Sequence, residues 1–157
     1  MEIIYDEIFK PINTVRHQFQ YLTKNFYKKL LSPGEIWVVD GETQLKCLSV
    51  LLKGRLDVLK HGHVVHTIQD CQFINSPEWI MSQDVPYIFE VTMQTKTECV
   101  IISWDRITLL SILRKNAYLK AVLDSVVSRD IAQKLFAMNR KIQKSGHGLT
   151  HSIYSLN

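Results

Sequence analysis

The residues with the clearest capacity for chemistry fall in two short segments, Asn75-Ser76-Pro77-Glu78 and Phe89-Glu90-Val91-Thr92. In the first, Ser76 is suited to cap a helix, Pro77 to take its first position and Glu78 to sit in its first turn. Backbone N–H groups exposed at such a start attract anions. In the second, Phe89, Val91 and Met93 alternate with Glu90 and Thr92 as along a strand, so only one set can line a pocket. The helix start and the hydroxyls of Ser76 and Thr92 together suit a bound anion. No nucleophile–base pair accompanies them, so the expected chemistry is recognition, with no catalytic residue.

Two other groups have residue types suited to a reactive centre. His61, His63 and His66 form a His-x-His pattern in a β-rich stretch, as in the metal enzymes of the cupin fold, but Glu78 is the next glutamate and His147 the next histidine. That ligand count is too small for a metal site, and a histidine-decorated hairpin is the expectation. Cys47, Cys71 and Cys99 are odd in number and widely spaced. They are expected as reduced, packed thiols of a cytosolic setting.

The elements that must position these residues can be read from periodicity. Ile4, Ile8 and Phe9, then Val15, Phe19 and Leu22, follow helical spacing on either side of Pro11 and Asn13, predicting two short helices. From Leu31 the pattern becomes β-rich: runs at 36–39, 48–52, 56–59, 64–68, 89–93 and 99–104 are punctuated by Gly41, Gly54, Gly62 and Pro86, as in antiparallel hairpins of a jelly roll. After Trp104, Asp105 can cap a helix to about Leu113. A longer helix over 116–142 carries one apolar stripe, from Leu119 through Val122, Leu123, Val126 and Val127 to Ile131, Leu135, Met138 and Ile142. The last four continue beyond the length a small barrel covers and lie well after the proposed pocket. The predicted fold class is α+β: an antiparallel jelly roll with short amino-terminal helices and a long carboxyl-terminal helix.

A strand, a tight helical turn at a Ser-Pro step and a returning strand about ten residues on is the arrangement by which cyclic-nucleotide-binding jelly rolls cradle a cyclic phosphate. The wording here resembles one particular family, the Popeye domain, whose signatures usually read Asp-Ser-Pro-Glu and Phe-Gln-Val-Thr. Further likeness lies in residues 4–11 (IYDEIFKP), Pro33-Gly34-Glu35, 48–55 (LSVLLKGR), 62–68 (GHVVHTI), Ser103-Trp104 and 130–139 (DIAQKLFAMN). The resemblance implies a domain over 1–144, with 145–157 as a flexible tail. It implies cyclic AMP as ligand, with no cofactor, at Asn75, Ser76, Pro77, Glu78, Phe89, Glu90, Val91 and Thr92. Asn75 stands for the usual aspartate and Glu90 for the usual glutamine. Phe89 falls where ordinary cyclic-nucleotide domains place the phosphate-binding arginine, whose charge-assisted hydrogen bond contributes about 1.5–3 kcal/mol.

With 157 residues, 46% hydrophobic and 22% charged, one compact domain is expected. No apolar run approaches the ~20 residues of a membrane span, and Glu2, Asp6 and Glu7 replace the positive charge of a signal peptide. The chain as given is therefore expected to be soluble. By resemblance it looks like the cytoplasmic part of a plasma-membrane protein with three upstream spans, or a product lacking them. Lys and Arg outnumber Asp and Glu by 9 to 3 over residues 105–157. Arg129, Lys134, Arg140, Lys141 and Lys144 are expected to form a solvated helix face or to lie near an anionic membrane or acidic partner; no DNA-binding module is expected after the helix. The resemblance further implies a homo- or hetero-dimer with Popeye subunits through Ile131, Leu135, Met138 and Ile142, and channel, junctional or trafficking proteins as partners. A ligand-independent dimerising scaffold, or an adhesion or trafficking adaptor, is the alternative.

Overall fold

The structure, a computed structural model, describes residues 1–144. The tail expected at 145–157 lies outside the described residues. The chain starts in a short helix, α1 (Glu2–Ile4), which runs through a π turn (Tyr5–Phe9) and a 3-10 turn (Lys10–Ile12) before Asn13 reverses it at φ 58°. A second helix, α2 (Arg16–Thr23), packs Phe19 onto Tyr5 and Phe9 with ring centroids 5.3 and 4.8 Å apart. Ile4, Ile8, Phe9, Phe19 and Leu22 are buried as helical spacing predicted, but Val15, which precedes the first residue of α2, is 45% exposed.

Eight strands follow in two antiparallel sheets. One has the order β1 (Phe26–Leu31), β8 (Cys99–Asp105), β3 (Cys47–Lys53), β6 (Gln72–Phe73). The other has the order β2 (Ile36–Val38), β7 (Thr92–Thr95), β4 (Leu56–Lys60), β5 (His63–Ile68). Leu48, Val50, Leu51, Leu56, Ile68, Met93, Ile101 and Trp104 are core residues of the two sheets, each at most 1% exposed. This is the jelly roll that the run of short strands predicted. Gly54 carries the chain from one sheet to the other. Its φ of 119° suits glycine alone, and a Cβ there would stand 2.5 Å from the Glu98 carbonyl.

Three elements differ from the sequence reading: β6, whose two residues are too few to show alternation, β1, and the strand expected at 89–93. β1 was not recognised, because Tyr27, Lys28, Lys29 and Leu30 are all exposed and an edge strand with outward lysines shows no apolar alternation. The strand expected at 89–93 begins only at Thr92, since residues 89–91 form a bend held by Phe89 N to Thr43 O and Gly41 N to Phe89 O.

Beyond β8, Asp105 caps α4 (Arg106–Lys115) by accepting from Thr108 N at 3.0 Å. Asn116 accepts from Leu119 N and starts α5 (Ala117–Lys144). The first half of α5 buries Leu119, Val122, Leu123, Val126 and Val127. Its second half passes α3 (Ser76–Met81), the six-residue helix that contains the Ser-Pro step.

Candidate functional site

A pocket of about 190 Å³ lies between the β4–β5 hairpin, α3 and the second half of α5. Val58, Val65, His66 and Ile68 come from the hairpin, Pro77 and Glu78 from α3, Met93 from β7, and Ile131, Lys134, Leu135 and Met138 from α5. The hairpin turns through His61 and Gly62, both at positive φ (52° and 77°), which gives the tight two-residue turn that fits strand twist. A register shift between Val58 and Leu59 then lets two consecutive residues, Val65 and His66, line one pocket. Strict alternation would have sent one of them away.

The polar groups in this apolar setting are few. Glu78 Oε2 and both ring nitrogens of His66 are buried and find no hydrogen-bonding partner among the described residues. Burial raises the Glu78 carboxyl above the ordinary range, offset in part by its own backbone N–H and by the nearby Lys134 charge. Burial lowers the His66 imidazole, and the charges of Lys134 and Lys141 lower it further. The pocket therefore holds a carboxyl and an imidazole that both lean toward neutrality, and the Lys134 ammonium.

Ser76 and Asn75 point elsewhere. Asn75, not Ser76, precedes the first helical residue, and its side chain does not cap α3. Its Oδ1 accepts from Ser49 N at 3.0 Å and its Nδ2 donates to the Cys47 carbonyl at 2.7 Å, which ties α3 to β3. Ser76 is fully buried and donates to Asp130 Oδ2 at 2.5 Å. Asp130 Oδ1 also accepts from Phe73 N at 3.0 Å, and Lys134 Nζ lies 2.7 Å from Asp130 Oδ2, 2.5 Å from Phe73 O and 3.1 Å from Ser76 Oγ. Asp130 and Lys134, one turn apart on α5, are only 6% and 8% exposed. Lys134 is thus no part of the solvated basic face expected for it.

The second segment forms a rim apart from this pocket. Phe89 is buried and meets Tyr87 edge-on at 6.0 Å. Glu90 is exposed, and its carbonyl accepts from Lys60 Nζ, which also pairs with Asp40 at 3.0 Å. Thr92 Oγ1 accepts from Asp40 N at 3.1 Å, and Val91 is half-buried. Of the eight residues expected at a ligand site, Pro77 and Glu78 line the pocket. Trp79, also on α3, is core at 2% exposure. Ile131, Leu135 and Met138, expected at a dimer interface and well after any pocket, form its α5 wall; Leu135 and Ile142 are also 57% and 43% exposed. His66, Asp130 and Lys134 escaped the sequence reading. The available signal was the charged pair at 130 and 134, which interrupts the apolar stripe at positions where its spacing calls for core residues. Among the described residues, no group of three or more His, Cys, Asp or Glu is arranged to hold a metal ion.

The sequence and the fold both have matches among known proteins. The family model POPDC1-3 matches residues 1–141. This chain belongs to the Popeye family. It is 36% identical over 144 residues to Popeye domain-containing protein 2 of Homo sapiens, covering 90% of this chain and 40% of that protein. It is 34% identical over 157 residues to Popeye domain-containing 2 of Danio rerio, covering 98% and 42%. The chain thus spans about half, or less, of the length of the curated Popeye relatives it matches. Among solved structures, a cyclic nucleotide-binding domain from Methylobacillus flagellatus superposes with a TM-score of 0.75 at 13% identity, over 92% of this chain and 85% of that one. The C-linker/CNBHD of zELK channels, crystallized in the presence of cAMP, gives 0.64 at 19% identity over 76% and 59%. The Popeye jelly roll is therefore of the cyclic-nucleotide-binding type. No described helix is long and apolar enough to cross a membrane.

Proposed function

We propose that this chain is a non-enzymatic cyclic AMP-binding effector module of a membrane-associated Popeye protein, which passes ligand occupancy through α5 to protein partners. The observation that carries the reading is the pocket under α5. It combines apolar walls with an unpartnered buried carboxyl oxygen, Glu78 Oε2, an unpartnered imidazole at His66 and the Lys134 ammonium, all on a cyclic-nucleotide-binding scaffold. Apolar walls with a few convergent polar groups are the usual makeup of small-molecule sites. The purine takes the apolar side formed by Val58, Val65 and Met93, and Glu78 and Lys134 offer polar contacts to the sugar and phosphate.

At about 190 Å³ the space is smaller than the ~300–1,000 Å³ of common ligand pockets. Entry of a nucleotide therefore requires Leu135 and Met138 to move outward with α5. That coupling between occupancy and helix position is the signal, a shift between two packings of α5. A second Popeye subunit, and membrane channel, junctional or trafficking proteins at the cytoplasmic face of the plasma membrane, are the partners that would read it.

The scaffold alternative keeps support from Phe89, an uncharged buried side chain where the phosphate-binding arginine of ordinary domains would stand, and from Phe136, 72% exposed on α5. Calorimetric titration of the folded chain with cyclic AMP and cyclic GMP separates the two. Saturable cyclic AMP binding with a concentration-dependent rise in Tm supports the module. No heat and no shift at millimolar nucleotide supports the scaffold.

A further inference from the structure

Three hydrogen-bond donors converge on the Asp130 carboxylate: the Phe73 backbone N–H at 3.0 Å, the Ser76 hydroxyl at 2.5 Å and the Lys134 ammonium at 2.7 Å. A backbone amide, a hydroxyl and a cation are the donor set of an anion-binding site, and here the anion is supplied by the chain itself. Asp130 does not line the pocket under α5, but Lys134 does, so one side chain touches both the carboxylate and the pocket. On its other side Asp130 faces a small groove shared with Glu7 and Arg129.

We propose that Phe73 N–H, Ser76 Oγ and Lys134 Nζ form a phosphate cradle that Asp130 fills from within, and that the anionic group of an entering ligand exchanges with Asp130. The assignment of that group to a cyclic phosphodiester rests on the function proposed above. It also names the cation that replaces the missing arginine. Of the pocket residues only Lys134 and His66 can carry positive charge, and His66 is held toward neutrality by burial and by Lys134 itself. Because Asp130 rides on α5, exchange removes its contacts to Ser76 on α3 and Phe73 on β6 and leaves α5 held there by Lys134 alone. A phosphate left near an intact Asp130 would meet like charge, so ligand in the cradle and the Asp130 latch oppose each other.

The cradle is tested first without nucleotide. Asp130→Ala removes the internal anion and leaves the three donors open. Its Tm should lie below wild type and rise by several degrees with millimolar inorganic phosphate, over a chloride control of equal ionic strength; wild type should show no such phosphate-specific rise. Asp130→Asn, which keeps an acceptor for Phe73 N–H, serves if the alanine variant fails to fold. Absence of a phosphate-specific rise in whichever variant folds overturns the cradle. Cyclic AMP is then titrated. Asp130→Asn should bind about tenfold more tightly than wild type, Lys134→Met at least tenfold more weakly, and Lys134→Arg close to wild type. Phosphate rescue with an unchanged nucleotide Kd in both Asp130→Asn and Lys134→Met overturns the exchange. Rescue with no nucleotide binding by wild type or any variant supports a phosphate cradle and removes the cyclic AMP reading instead.

Discussion

Ser76 Oγ lies 2.5 Å from Asp130 Oδ2, which joins the first residue of α3 to the middle of α5 across 54 positions of sequence. The hydroxyl that sequence reasoning assigned to a ligand is therefore engaged by the long helix. Both residues are buried, so the contact is shielded from water and competes with little besides an anion.

Ser76→Ala removes the donor and leaves Asp130 Oδ2 with Lys134 alone. A buried hydrogen bond to a charged group contributes about 1.5–3 kcal/mol, so unfolding free energy should fall by roughly that amount and Tm by several degrees. Chemical denaturation measures the first, and hydrogen exchange should localise the loss to the second half of α5. Unchanged stability and exchange would contradict the link.

Asn75 uses both halves of its amide, accepting from Ser49 N and donating to the Cys47 carbonyl. The aspartate usual in the family could do only the first, and at 3% exposure its charge would sit against a carbonyl. Asn75→Asp should cost about 1–3 kcal/mol at pH 7. The cost should shrink in acid, as the introduced carboxyl protonates and can donate. A variant as stable as wild type at pH 7 would show that the backbone around Cys47 adapts freely.

Burial raises the Glu78 carboxyl, so the folded chain holds its proton to a higher pH than the unfolded chain does. The linked stabilisation is complete below the unfolded value of about 4.3 and is lost as pH rises through the elevated folded value. His66 runs in the opposite sense: its lowered folded value gives stability that is present above about pH 6.5 and is lost as pH falls through it. Glu78→Gln should remove the first effect only. The variant should then gain stability relative to wild type as pH rises from about 4 to 7, by a margin within the ~1–3 kcal/mol of an unmatched buried polar group. A relative loss over that range, followed by thermal unfolding, would show that the Glu78 charge is compensated.

Leu135 and Met138 were expected to serve self-association alone, but both stand on the pocket wall. Replacing the pair with glutamate should therefore weaken cyclic AMP binding as well as any dimer. Phe136 is 72% exposed and does not line the pocket under α5, so Phe136→Glu should reduce self-association while leaving nucleotide affinity within about twofold. Analytical ultracentrifugation beside calorimetry reads both quantities. A wild type that stays monomeric at high micromolar concentration would contradict pairing by this domain through α5.

The fold was largely legible because its elements follow local rules. The inner strands are near-continuous apolar runs, Asp105 and Asn116 cap their helices, and Gly54 and Gly62 mark turns that need positive φ. The bend at 89–91 was not legible, since Phe89-Glu90-Val91 has strand-like residue types and only the pairing of Phe89 with Thr43 and Gly41 reveals a loop. The site was legible in part. The Ser-Pro step located α3 correctly, and Pro77 and Glu78 do reach the pocket. Side-chain direction at Asn75 and Ser76 depends on partners in β3 and α5, far off in sequence, and no spacing rule conveys that. A lysine on a helix is usually a solvated charge, and the burial of Lys134 follows only from a carboxylate one turn away and a carbonyl on β6.

The most direct measurement of the central claim, that cyclic AMP occupies the pocket under α5, is a methyl NMR titration of the folded chain. Val58, Val65, Ile68 and Ile74 line the pocket from the barrel side, and Ile131 and Leu135 from α5. Saturating cyclic AMP should shift these methyl signals along one binding curve and change those of Ile131 and Leu135 most, as α5 moves, while Ile4 and Leu22 in the amino-terminal core stay fixed. Shifts that cluster at the rim around Glu90 and Lys60, or no saturable shift at all with millimolar nucleotide, would contradict the account.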